Sequence, residues 1–147
     1  MVFPRFAMVL MTSLTLSLLT VSVGWSQPFS EVNQEVRDVE VQAKLKAQPE
    51  ALLVYAKGLC CPSCAIGIRK MISRLEFVDT TKDNDGVELD AKHQLVTIAV
   101  KKGAKPDLKA LASAVDEAGY EPVHAYAWRQ NKVATSNLGP TTFRVVP

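Results

Sequence analysis

The sequence predicts an α+β domain in which two helices cover one face of a four-stranded antiparallel sheet. Three observations predict it. Apolar runs of strand length alternate with stretches of helical period. The elements follow in the order strand, helix, strand, strand, helix, strand between about Ala51 and Trp128. Gly and Pro punctuate the joins.

Ala51 to Lys57, "ALLVYAK", reads as a strand, and its nearly unbroken apolar run implies burial. Gly58 breaks it. Ser63 to Leu75 reads as a helix: Ala65, Ile68, Met71, Ile72 and Leu75 share one face, with Arg69, Lys70, Ser73 and Arg74 outside it. Pro62 suits the first helical turn, where a missing N–H costs nothing. Asp79 to Gly86 is a polar loop of turn residues. Val87 to Asp90 reads as a short strand, Ala91 to Gln94 as a turn, and Leu95 to Val100 as a strand of period two. Pro106 to Ala118 reads as a second helix with Leu108, Leu111, Ala112, Val115 and Ala118 inward, and Gly119 is a natural stop. Val123 to Trp128 alternates again as the last strand. This split order is that of a ferredoxin-like βαββαβ sandwich.

Segments on either side flank this domain of residues 51–128. Residues 1–26 read as a signal peptide: Arg5 supplies the positive start, Phe6 to Val23 carries no charge, and Gly24-Trp25-Ser26 offers small residues before a cut at Gln27. An uncleaved membrane anchor is the rival reading, although the run is short for a spanning helix and rich in hydroxyls. Residues 27–50 read as a polar extension whose thin helical stripe is Val32, Val36, Val39 and Ala43, with Ser30 as its cap. Residues 129–147 read as a flexible tail in which "FRVV" offers a further edge strand.

The chain carries 17 Lys and Arg against 15 Asp and Glu. That balance argues against a nucleic-acid binder, which would show a basic patch. After signal cleavage no second run is apolar enough to span a bilayer, so the expectation is a monomer in the periplasm or otherwise exported. Export implies an oxidising compartment, where disulfides can persist.

All three cysteines, Cys60, Cys61 and Cys64, fall in "GLCCPSCAIGIRK" between the first strand and the first helix. An odd number leaves at least one unpaired within the chain. Unpaired N–H groups and the partial positive charge of a helix N-terminus favour thiolate at Cys61. Lys57 and Lys70 either add positive charge there or are simply solvated. The Cys-x-x-Cys spacing lets two sulfurs converge, and soft thiolates select soft ions such as Cu(I) over hard cations. A structural zinc site wants four protein ligands. Nothing in the sequence brings His93 or His124 to the loop, and each reads as an ordinary surface or half-buried histidine. Asp83, Asp85 and Gly86 lack the companion ligands of a calcium loop and read as a solvated turn.

These residues resemble the heavy-metal-associated (HMA) domain of copper chaperones, of the amino-terminal modules of metal-pumping ATPases and of periplasmic mercury-binding proteins. The family pattern Gly-Met-Thr-Cys-x-x-Cys is matched by Gly58-Leu59-Cys60-Cys61-Pro62-Ser63-Cys64, and its later Ala-Gly-Tyr by Ala118-Gly119-Tyr120. The resemblance spans about Leu52 to Tyr126. It implies Cys61 and Cys64 as metal ligands, with Gly58, Leu59 and Tyr120 supporting the loop and Tyr120 limiting solvent access. Cys60 stands where the family has threonine, either as a third sulfur or as a small threonine substitute. Phe77-Val78 replaces the usual Gly-Val, and the loop at 79–86 is extra.

Three functions fit. The first is a binding protein, not an enzyme. It captures Cu(I) or Hg(II) and passes it by ligand exchange to a metal transporter or another cysteine-bearing metal-binding protein. The second is a periplasmic thiol–disulfide oxidoreductase using the same pair, for which the strand order supplies no thioredoxin scaffold. The third is an oxidised pair in an adhesion or interaction domain.

Overall fold

Leu52–Lys57 is the central strand, β1, of the sheet, and its residues Leu52 to Ala56 are buried on both sides. A computed structural model describes residues 31–60, 63 and 65–139 of the chain. Its other strands are β2 (Val87–Asp90), β3 (Leu95–Ile98), β4 (Glu121–Arg129) and β5 (Lys132–Asn137). The helices are α1 (Gln34–Ala47), α2 (Ala65–Ile72) and α3 (Leu108–Glu117). The sheet runs β2-β3-β1-β4-β5, with every neighbouring pair antiparallel.

Alternation along β1 explains both layers of the core. Leu52, Val54 and Ala56 face α2 and α3, where they meet Ile68, Ile72, Leu111 and Val115. Leu53 and Tyr55 face the other way, onto Val41 and Leu45 of α1 together with Leu95 and Tyr126. The architecture is therefore α+β, with helices on both faces of a five-stranded sheet. This corrects the expectation of four strands and helices on one face only.

Both additions come from the flanking segments. Asn33 caps α1, its side chain accepting from Glu35 N at 3.0 Å. The helix buries Arg37, Val41 and Leu45, and leaves Val36 and Val39 of the expected stripe 52% and 70% exposed. The reason lies on the sheet. The Arg37 guanidinium carbon sits 3.6 Å from the centroid of the Tyr55 ring, and Nη1 donates to Val32 O at 3.0 Å. A charged residue thus belongs to the buried side because an aromatic face and a carbonyl receive it. Ser30, the expected cap, and residues 1–30 as a whole lie outside the described residues.

β5 follows β4 through a two-residue hairpin. Gln130 and Asn131 both take left-handed backbone, φ 47° and 65°, between the paired Arg129 and Lys132. Two such residues match the twist of the strands they join. The "FRVV" edge strand falls outside the described residues. The loop before β2 is held by Gly86 at φ 74°, where a Cβ would come within 2.3 Å of Asp79 O. Among the described residues, no helix is long and apolar enough to cross a membrane.

Candidate functional site

The loop that leaves β1 is shaped from both ends. The β1–β4 register shifts between Tyr55 and Ala56, so that Ala56 pairs with Pro122 and Lys57 with Glu121. Pro122 has no N–H to give the ladder, which fits such an irregularity. Gly58 then takes φ 91°, a left-handed conformation that penalises any side chain. Leu59 N donates to Ala56 O at 3.3 Å, and the Leu59 side chain is fully buried in the helix-side core. Cys60 follows and is partly exposed. Cys61 and Cys64 lie outside the described residues. α2 begins at Ala65, and Ile66 in its first turn is 70% exposed.

Tyr120 reaches this loop through the end of α3. Gly119, at φ 90°, closes the helix. Its N–H donates to Asp116 O at 2.8 Å, and Tyr120 N donates to Val115 O at 3.1 Å. These two bonds form a Schellman motif, which fixes the direction of the residue after the glycine. The result is contact: a methyl group built on Gly58 would come 3.9 Å from Tyr120 Cδ1. Tyr120, from a distant stretch of sequence, is thus brought beside Gly58 and packs against the core cluster that holds Leu59.

The charge around the loop differs from a simple cationic field. Lys57 Nζ lies 3.6 Å from a Glu121 carboxylate oxygen and 4.0 Å from one of Glu31. Two carboxylates therefore share this ammonium, so it adds little net positive charge. Glu31 also accepts from the Tyr55 hydroxyl at 2.5 Å. That hydrogen bond, with Lys57 and Arg37 nearby, holds the Glu31 carboxyl below its ordinary range. Burial first, and then the bond to Glu31, pushes the Tyr55 phenol far up. Lys70 is solvent-exposed near the end of α2, while Arg69 Nε donates to Val87 O at 3.2 Å.

Neither histidine reaches the loop glycine in the way Tyr120 does. His124 is half-buried on β4, with its ring 6.4 Å from that of Tyr55 and 6.0 Å from that of Tyr126. His93 is half-buried in the β2–β3 turn and pairs with Asp90. Sequence reasoning did not anticipate Glu31, Arg37 or this His93 pairing. The first two depend on the amino-terminal segment lying against the second face of the sheet, which no local motif announces, whereas His93 and Asp90 pair within the β2–β3 turn.

Comparisons with family models, with curated proteins and with solved structures give no match for this chain.

Proposed function

We propose that this chain is an exported soft-metal-binding protein of the heavy-metal-associated type. Its reduced Cys61 and Cys64 capture Cu(I) or Hg(II) and release the ion to a partner's thiolates by ligand exchange. The single observation that carries this reading is the approach of Tyr120 to Gly58, at the start of the cysteine loop. The resemblance asks for Leu59 tucked under the loop and Tyr120 near it, and the burial of Leu59 and the approach of Tyr120 to Gly58 support that reading. The order β2-β3-β1-β4 within the larger sheet supports a ferredoxin-like core in the same sense.

The cysteine-bearing loop follows a strand and leads into a helix. A two-sulfur site in such a loop holds a soft cation with few ligands. An incoming thiolate then adds to the ion before a resident one leaves, so the ion is never free. Cys60 is the third donor for that intermediate. The metal is cargo in this scheme, and the partner is a metal transporter or another cysteine-bearing metal-binding protein.

The test is titration of the fully reduced chain with Cu(I) and with Hg(II) against a competing chelator, alongside an insulin-reduction assay. One tightly held ion per chain without reductase activity is the expected result. Reductase activity with weak metal retention overturns it in favour of a thiol–disulfide oxidoreductase.

A further inference from the structure

A second group of metal-ligating side chains lies away from the cysteines, between α1 and the β2–β3 turn. One carboxylate oxygen each from Glu40 and Asp90 and one ring nitrogen of His93 lie within 4.8 Å of one another. All three residues are half-buried. We propose that this group is a binding site for a borderline divalent cation of the zinc class, and that Lys44 holds the cation's place when no ion is bound.

The turn is organised around Asp90 before any ion arrives. Asp90 Oδ1 accepts from His93 N at 3.1 Å, and His93 Nδ1 lies 2.8 Å from Asp90 Oδ2. A carboxylate only accepts, so that ring nitrogen carries a proton in this state, and the proton is released to solvent when the nitrogen binds an ion. Burial alone would raise the Asp90 pKa. The hydrogen bonds from His93, with the charges of His93 and Lys44, hold it below its ordinary range instead.

Two carboxylates alone would be an ordinary ion-paired surface. The imidazole changes the chemistry, because an imidazole with carboxylates suits zinc and its neighbours, whereas carboxylates and carbonyls alone suit magnesium or calcium. Lys44 Nζ sits 3.5 Å from Glu40 Oε1 and 3.5 Å from Asp90 Oδ2. Both separations exceed the roughly 2.8 Å of a strong charge-assisted hydrogen bond. The ammonium therefore balances the charge without being gripped. Zinc takes oxygen and nitrogen donors at about 2.1 Å, so the three groups need to close by roughly 1 Å. Glu40, a third exposed and on a helix surface, has the rotamer freedom to do so. Lys44, on the same helix one turn on, has the length to swing out to solvent.

The proposal stands apart from the thiol reading, and its test removes the thiols. The full chain with Cys60, Cys61 and Cys64 all replaced by Ser is titrated with Zn2+ by calorimetry, with folding checked by circular dichroism. One ion per chain is expected. In that background His93→Gln and Glu40→Gln each weaken binding by about tenfold or more, as loss of a ligand or its support does. Lys44→Met tightens it several-fold by removing the competing ammonium. No zinc binding by the thiol-free chain, or binding unchanged by both His93→Gln and Glu40→Gln, overturns the site. Unchanged or weaker binding in Lys44→Met overturns the exchange with lysine.

Discussion

Tyr55 on the central strand donates its hydroxyl to Glu31, three residues before α1 begins, at 2.5 Å. This bond ties the start of the amino-terminal segment to the strand that leads into the cysteine loop. It also ties stability to alkaline pH. The folded-state pKa of Tyr55 is raised, so its contribution is complete below the unfolded value of about 10 and is lost as pH rises above it. Denaturant unfolding of the wild type is expected to weaken above about pH 10, by up to about 1.4 kcal/mol per pH unit for one group. Tyr55→Phe is expected to flatten that limb, Tyr126 keeping part of it because burial raises its pKa too. An unchanged slope in Tyr55→Phe would refute the linkage.

Asp90 sets the opposite limb. Its folded-state pKa is lowered, so its contribution is present above the unfolded value of about 3.9 and disappears as pH falls through the lower folded value. Asp90→Asn is expected to lose stability at neutral pH and to approach the wild type below pH 3. Urea midpoints measured between pH 2 and 7 check this.

The two sides of α1 make contrasting predictions. Leu45 is fully buried against the sheet, and Leu45→Ala is expected to cost about 2–4 kcal/mol. Val39, on the opposite side, is 70% exposed. Val39→Ser is expected to stay within about 0.5 kcal/mol. Equal effects from the two substitutions would mean that α1 does not dock as described.

Gly86 combines a left-handed backbone with no room for a side chain. Gly86→Ala is expected to cost about 2 kcal/mol or more, from the backbone penalty of about 1–2 kcal/mol plus the contact with Asp79 O. Thermal unfolding of Gly103→Ala serves as the control. Gly103 is also left-handed, at φ 79°, but a Cβ there meets nothing within 4 Å. The difference between the two variants isolates the steric part.

For the proposed cargo, Cys61→Ser and Cys64→Ser are each expected to abolish most Cu(I) or Hg(II) affinity. Cys60→Ser is expected to alter stoichiometry or the preference between the two ions. Chelator competition checks all three. If Cys60→Ser were as damaging as the other two, the assignment of Cys61 and Cys64 as the principal pair would fail.

Much of the fold was legible because its signals are local. β2 was read at Val87 to Asp90, where it lies. α3 was read through its apolar period and its closing Gly119, the start moving only from Pro106 to Leu108, behind the Asp107 cap. The β3 reading ran on to Val100, which the structure leaves in an isolated bridge with Val78. α1 was seen as a weak stripe but assigned the wrong face. A valine count cannot foresee that Tyr55 and Val32 will accept a buried arginine.

Sequence by itself determined the elements of the central domain, the clustering of three thiols at a strand–helix junction, and the glycines that shape the turns. These follow from backbone conformation and hydrophobic period, which act between neighbours in the chain. The tertiary structure alone decided that α1 covers the second face of the sheet, that Lys57 shares its charge with Glu31 and Glu121, and that Glu40 meets Asp90 and His93. Those relations arise when apolar surface on both faces of one sheet is withdrawn from water. That force has no direction along the chain, so no local pattern records which partners it will bring together.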